Sequence, residues 1–434
     1  MQRTPTSRRG FLRTLAAAGA AAPLLTRAER LEGSLAATSA GAPFRADDPT
    51  SVARLRAQYM LSDDLVYLNH ASIGTVPEAV HRAHVGYLEL CEHHPSLYVW
   101  GSVWREVTEQ TRATAASLLK CRADDLAITH NTTEGINVLA HGLPIGAGDE
   151  VLFSSLNHPG ASVAWRGLAT RRGYSVRSFD FPLERAPELS VDEVVQIHVD
   201  ALAPETRVLV LPHVDNMIGL NHPLPEIARA VRGRGVEFVV VDGAQSAGMV
   251  PVDLSAAGVD AYAVSPHKWI QSPKGLGLLW VAPGVRDVVP RMWFRTPGER
   301  IEESARKYED YSTRAWPAVV ALGDALDFQA SIGEAEKRRR YAALWRQVHG
   351  RSLDDARLTW RSPLDPSLRS VIMAVELQGQ RAQALAPRLL AEAGGVVRAF
   401  APPLNTFRIS PNVMTTDAEL DGFLDTLVGM SGAG

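Results

Sequence analysis

Cysteine is scarce in this sequence: 434 residues hold two, Cys91 and Cys121. Their spacing fits neither a zinc knuckle nor a disulfide scaffold, which excludes the small metal-stapled and disulfide-dense folds. The two thiols could pair in an oxidising compartment, and otherwise read as buried or incidental. An excess of one charge is lacking too, because 45 Lys and Arg stand against 48 Asp and Glu, a formal net charge of −3. Without a positive field to hold a polyanion, nucleic acid is not expected as a partner. No apolar run is long enough to span a bilayer as a helix. Internal repeats and low-complexity tracts are absent. No Gly-x-Gly-x-x-Gly opens a helix after the early strands, which counts against a plain nucleotide-binding α/β protein. What is present is ordinary for a soluble globular chain, 46% hydrophobic and 21% charged residues. The length favours two packed domains.

From about residue 45 onward, short β-branched runs alternate with amphipathic stretches, the mark of βαβ units and a mainly parallel sheet. Strands are predicted at Leu126–Thr129, Glu150–Phe153, Ser175–Phe179, Arg207–Leu211, Glu237–Val241, Ala261–Val264 and Leu276–Trp280. Val239-Val240-Val241 is apolar on both faces, as a covered strand requires. Helical patterns fall at Gly135–Leu143, Leu224–Arg234 and Ala335–Gln347, and a last αβ segment runs from Leu385 to Leu427. The expected organisation is a leader and linker over 1–44, a large domain over 75–300, and a small domain from 45–74 with 301–434.

Chemistry concentrates where open α/β sheets place ligands, just beyond strand ends. Ser265-Pro266-His267-Lys268-Trp269 follows an apolar strand, and a lysine there is poised to lose solvation and react as an amine. Upstream, Asp242-Gly243-Ala244-Gln245 ends the valine strand. Taken alone, Asp242 could cap a helix or bind a metal. A carboxylate at the end of a buried strand is costly unless a cation meets it, and a protonated pyridine nitrogen is such a cation. With Lys268 downstream, the pair points to pyridoxal 5′-phosphate (PLP), the lysine attached to its aldehyde and the acid to its ring nitrogen. His130-Asn131-Thr132-Thr133-Glu134-Gly135 opens a helix after a strand and suits the phosphate; in isolation it reads equally as a threonine cap.

This set resembles the class V aminotransferase family of fold-type I PLP enzymes, and the resemblance runs from about Tyr67 to Phe423. It implies an α/β fold-type I transferase, with a mainly parallel seven-stranded sheet in the large domain and a smaller α+β C-terminal domain. Tyr67-Leu68-Asn69-His70-Ala71-Ser72-Ile73-Gly74 resembles the family's substrate-side loop, which implies substrate contacts from Asn69, His70 and Ala71. Thr132 and Thr133 match the phosphate turn, as Ser265 and His267 match phosphate ligands. In Asn157-His158-Pro159, His158 falls where the family stacks an imidazole on the ring. Asn216, in His213-Val214-Asp215-Asn216-Met217-Ile218-Gly219, and Gln245 match partners of the phenolic oxygen. Thr313, in Tyr311-Ser312-Thr313-Arg314, matches a residue reaching the neighbouring subunit's phosphate, which implies a homodimer. Arg408, in Phe407-Arg408-Ile409-Ser410, matches the substrate carboxylate clamp.

The N-terminus reads differently from the rest. Ser7-Arg8-Arg9-Gly10-Phe11-Leu12 and the short apolar run Leu15 to Leu25 resemble a twin-arginine export signal. The resemblance implies a folded protein delivered to the periplasm or beyond, cleaved within Ser34 to Ala42.

Family members that desulfurate cysteine use a thiol on a loop of the C-terminal part. No cysteine follows Cys121, so a persulfide-forming desulfurase is not expected. The motif style is nearest to isopenicillin-N-epimerase-like proteins, which implies proton transfer at an amino-acid α-carbon. Lys268 would be the base, Asp242 and His158 would support the cofactor, and His70 or Tyr98 would be the acid on the second face. A C–S or C–Se β-lyase or an aminotransferase is the alternative, and a PLP-binding protein without turnover is the reading from another class.

Overall fold

The computed structural model describes residues 42–96, 104–295 and 299–430. The twin-arginine segment and Tyr98 lie outside the described residues. A short strand β1 (Val66–Tyr67) precedes the seven that build the main sheet. These are β2 (Leu126–Thr129), β3 (Glu150–Ser154), β4 (Ser175–Phe179), β5 (Thr206–Pro212), β6 (Phe238–Asp242), β7 (Ala261–Val264) and β8 (Gly277–Val281). Their spatial order is β2-β8-β7-β6-β5-β3-β4. Four neighbouring pairs run parallel, and β8 runs antiparallel to both β2 and β7.

The period-2 alternation of strand side chains divides the core in two. Val239, Val241, Tyr262 and Val264 pack on one face, while Phe238, Val240, Ala261 and Ala263 pack on the other. Both faces are covered, which is why these strands read as unbroken apolar runs. Helices Thr132–Gly142 and Pro159–Arg172 pack together, each starting just beyond a strand of the sheet.

A second sheet in the C-terminal third has the order β12-β13-β10-β9. It comprises β9 (Leu358–Trp360), β10 (Met373–Leu377), β12 (Arg398–Ala399) and β13 (Phe407–Ile409), with all its neighbours antiparallel. The remaining strand, β11 (Gly395–Val396), pairs in parallel with β1, so Val66 lies beside Gly395. An isolated bridge from Asn69 to Ser410 continues that seam and brings the Asn69–Gly74 loop to the end of β13. The α/β architecture expected from the sequence is the one observed. No helix among the described residues is long and apolar enough to cross a membrane. No disulfide joins Cys91 to Cys121.

Candidate active site

The strand register lines up the reactive loops. Pro212 pairs with Asp242, and Asp242 with Ala263, so β5, β6 and β7 end level with one another. Beyond them lie the His213–Gly219 loop, the Asp242–Ser246 turn and the Ser265–Trp269 turn.

Asp242 is buried, and one carboxylate oxygen caps its own turn by accepting the Ala244 N–H at 2.9 Å. Lys268 is half-buried; its ammonium has no hydrogen-bond or ion-pair partner among the described residues, although Asp242 is a Coulombic neighbour. Burial and then Arg408 push its pKa down to about 8, against the pull of Asp242. A half-buried amine with no bonded partner is a nucleophile held ready. The loop carrying it is packed against the substrate-side loop. Gly74 donates its N–H to His267 O at 3.1 Å, and a Cβ there would overlap the Lys268 carbonyl.

His158 is the N-cap of Pro159–Arg172, its Nδ1 accepting the Gly160 N–H at 3.0 Å. The ring stands exposed on the cleft wall. Burial and Lys268 lower its pKa, with Asp242 opposing and Arg408 adding to the fall. Those partners make Lys268 and Asp242 electrostatic neighbours of the imidazole. Thr133 closes in from the side: a Cβ on Gly160 would meet Thr133 Oγ1 at 2.7 Å and His158 Nδ1 at 3.1 Å.

The phosphate candidates converge. Thr132 begins its helix, and its N–H donates to Ser265 Oγ at 3.2 Å while the two hydroxyls lie 2.8 Å apart. Asn131 takes the Glu134 N–H at 2.9 Å and caps the helix. That helix N-terminus, with its two hydroxyls, suits an anion. His267 Nδ1 is buried without a partner, and burial, then Lys268 and Lys274, lowers the ring to about 4. Neutral, and with one orphaned nitrogen, it fits a phosphate hydrogen bond.

Gln245 is tied at both ends: Nε2 donates to Ala71 O and Oε1 accepts from Trp269 Nε1, each at 2.8 Å. It therefore fixes the Ala71 loop against the lysine loop, and its second N–H is what remains for a ligand. Arg408 is buried, and its fork reaches Asn69 Oδ1 at 2.6 Å, Ser72 Oγ at 2.5 Å and Asn216 O at 2.9 Å. Burial and the neighbouring Arg398 push its pKa down to about 10. Asn69, Asn216 and Arg408 are thus brought together, with the guanidinium held by neutral acceptors.

One expected residue, His70, turns away from the cleft, and Thr313, expected at a neighbouring subunit's site, lies outside the cleft of its own chain. His70 is wholly buried, its Nδ1 3.3 Å from Ser410 O and its Nε2 3.3 Å from Thr75 Oγ1, and burial takes its pKa down to about 3. The ring props the loop from inside, edge-on to Tyr67, instead of facing the cleft. Thr313 is exposed on a turn that Arg314 anchors to Ile128 O at 2.6 Å, outside the cleft of its own chain.

Sequence reasoning missed two residues. Asp215 is buried and accepts the N–H groups of Met217, Ile218 and Leu220 at 2.6 to 2.9 Å, which shapes the turn presenting Asn216. Burial lifts its pKa to about 6, against those three donors and Arg408. An Asp at the head of a glycine-closed turn was the available signal. Arg398 sits opposite Arg408 in the β12–β13 pairing, on the same face, with no carboxylate partner among the described residues.

An unpaired lysine and a buried carboxylate as Coulombic neighbours, an imidazole near both and hydroxyls at a helix N-terminus, set on this sheet, are the groups of a fold-type I PLP-dependent enzyme. The comparisons agree. The Aminotransferase class-V family matches residues 66–400, and the chain belongs to that family. Isopenicillin N epimerase of Streptomyces clavuligerus is 30% identical over 395 residues, 87% of this chain and 98% of that one. A probable cysteine desulfurase of Pseudomonas aeruginosa is 30% identical over 316 residues, 70% and 75% of the two chains. Among solved structures, a cystine C–S lyase in complex with cysteine persulfide superposes with a TM-score of 0.74 at 23% identity. It covers 84% of this chain and 98% of that one. The cysteine desulfurase of Thermococcus onnurineus gives 0.75 at 20%, covering 88% and 98%.

One expectation is corrected here. Persulfide-forming cysteine desulfurases recur among both the sequence and the structural matches, so excluding that activity is overturned. The absence of a cysteine after Cys121 does not separate this chain from them.

Proposed function

We propose that this protein is a PLP-dependent β-lyase that cleaves the C–S (or C–Se) bond of a cysteine-type amino acid with a second anionic end. The observation that carries this reading is the arginine pair. Arg398 and Arg408 stand opposite each other, an arrangement of like charges that costs stability unless anions meet both. Arg408, buried and forked, suits the α-carboxylate. Arg398, exposed at the mouth, suits a distal carboxylate such as the second end of a disulfide amino acid. The solved cystine C–S lyase, which shares the fold, gives this class a chemical parallel.

PLP, when bound, supplies a protonated ring that takes up the electron pair left at Cα. Lys268 is assigned its covalent attachment, Asp242 the ring nitrogen, and His158 the ring face. Thr132, Thr133, Ser265 and His267 are assigned the phosphate, and Asn216 with Gln245 the phenolic oxygen. Released from the attachment, the Lys268 amine takes the Cα proton; the Cβ–S bond then breaks and its electron pair leaves on sulfur. Asn69, Ser72 and Asn216 hold the Arg408 fork until a carboxylate takes their place.

Elimination needs a base on one face, whereas inversion at Cα also needs an acid on the other. His70, neutral and bonded at both nitrogens, is poorly suited to that second role. The end-to-end match to isopenicillin N epimerase favours inversion as a second reading. Incubation with cystine and with a panel of amino acids in D2O separates them. From cystine the lyase releases cysteine persulfide, a keto acid and ammonia; deuterium at Cα with inversion and no release sinks the lyase reading. The homodimer, through Thr313, and twin-arginine export are carried as part of the proposal. Normal export after replacing Arg8 and Arg9 with lysine would remove the second.

A further inference from the structure

A cavity of about 340 Å³ lies between helix Arg105–Leu119, the Gly248–Val252 segment and helices Trp316–Ile332 and Glu334–Asp354. None of the cleft residues named above lines it. Its volume is at the small end of ligand pockets. Leu118, Met249, Val250, Pro251 and Leu326 make most of the wall apolar.

Lys337 also lines this cavity and is 7% exposed. Its ammonium donates to Gln329 Oε1 at 2.6 Å and to Gly248 O at 3.3 Å. An ammonium has three N–H donors, so one is left over. The charge has no carboxylate partner among the described residues. The acids nearby are engaged, Asp253 with Lys120 at 3.2 Å and Glu334 with Arg338 at 3.5 Å.

A lysine with this surrounding would normally reach out to water. Lys337 is held in by a buried chain of amides. Gln329 Nε2 donates to Gln271 Oε1 at 2.8 Å, and Tyr59 donates its hydroxyl to the same oxygen at 2.8 Å. Burial lowers its pKa to about 8, against the pull of Glu334, which leaves it mostly protonated at neutral pH. A buried cation with no direct ion pair, whose one Coulombic acid, Glu334, stands exposed and turned to Arg338, is an expensive arrangement that an anionic ligand would relieve.

We propose that this cavity binds a small amphiphilic carboxylate, its head on the Lys337 ammonium and its hydrocarbon chain against Leu118, Met249, Val250 and Leu326. One free N–H matches a single carboxylate oxygen, whereas a phosphate calls for several donors. The site stands apart from the cleft, so its failure leaves the lyase reading intact, and the reverse.

The test is calorimetric titration of the PLP-loaded protein with octanoate, with 1-octanol as the uncharged control. Octanoate is expected to bind saturably at one site and at least about tenfold more tightly than octanol. Lys337→Met is expected to weaken octanoate at least about tenfold without altering the cofactor's absorption. Ala330→Trp, which fills the cavity from its exposed wall, is expected to abolish binding of both, and it decides alone if Lys337→Met does not fold. No binding at millimolar octanoate, equal binding of octanol, or octanoate binding unchanged by Ala330→Trp each overturns the proposal. The last result would place the ligand on Arg408 instead.

Discussion

Two buried charge clusters in this protein follow opposite rules. Behind β2, Glu309 meets Arg112 at 2.6 and 2.9 Å and Arg314 at 3.0 Å, and also accepts the Ile128 N–H. Arg112 continues to Leu126 O at 2.8 Å. Burial alone would raise the Glu309 carboxyl, but the two guanidiniums hold it down at about 2. This cluster is complete within the chain and fastens the Tyr308–Arg314 segment to the sheet. In the cleft, Lys268 has Asp242 and Arg408 has Asp215 as its buried Coulombic neighbour, with the exposed Arg398 beside them, but no ion pair forms among the described residues, and burial lowers Lys268 and Arg408 instead of anchoring them. The difference separates structure from function: a charge matched inside the chain holds the fold, and a charge left for something else to match marks a ligand.

Breaking each cluster should therefore have a different consequence. Lys268→Ala is expected to lower turnover by about 10³-fold or more and to remove the visible absorption of the loaded protein. Its thermal midpoint without cofactor should stay near that of the parent, so spectra and melting curves together test the contrast. Glu309→Gln is expected to do the reverse. Leaving the buried Arg314 without a carboxylate, and Arg112 with Glu109 alone, costs about 3–5 kcal/mol, read from denaturant unfolding, while the cofactor spectrum of the folded fraction is retained. Arg408→Lys keeps the charge but loses the fork, and a rise in KM of about 10- to 100-fold is expected. The smallest effect sharpens the comparison by pH. Uptake of PLP by the stripped protein requires the neutral amine, so its rate should climb up to about pH 8 and then level. An ordinary lysine would keep climbing beyond pH 10.

Much of this was legible in the sequence. Leu126–Thr129, Ser175–Phe179 and Ala261–Val264 are strands at the expected bounds; the first and last are buried throughout and read as apolar runs, whereas Ser175–Phe179 is a half-exposed edge strand. The helix expected at Gly135 starts three residues earlier, at Thr132, because the Asn131 side chain caps a turn whose threonines read as loop. The reversed direction of β8 was not legible, since strand direction depends on which neighbours close the hydrogen-bond ladder. In the site, Lys268, Asp242, His158 and the Thr132–Ser265 cradle could be placed because each follows a strand end. The partners of Arg408 come from loops distant in sequence and could be placed only by family resemblance. His70 shows the limit of a motif: the loop lies beside the cleft while the imidazole turns inward, a matter of side-chain packing that residue order does not encode.

The account rests on which amine carries the cofactor. Borohydride reduction of the PLP-loaded protein, followed by proteolysis and mass spectrometry of the peptides, reads that directly. The phosphopyridoxyl group is expected on the peptide containing Lys268, at its ε-nitrogen. Label on Lys274 or on any other lysine, or a loaded protein that takes up none, would contradict the site built here.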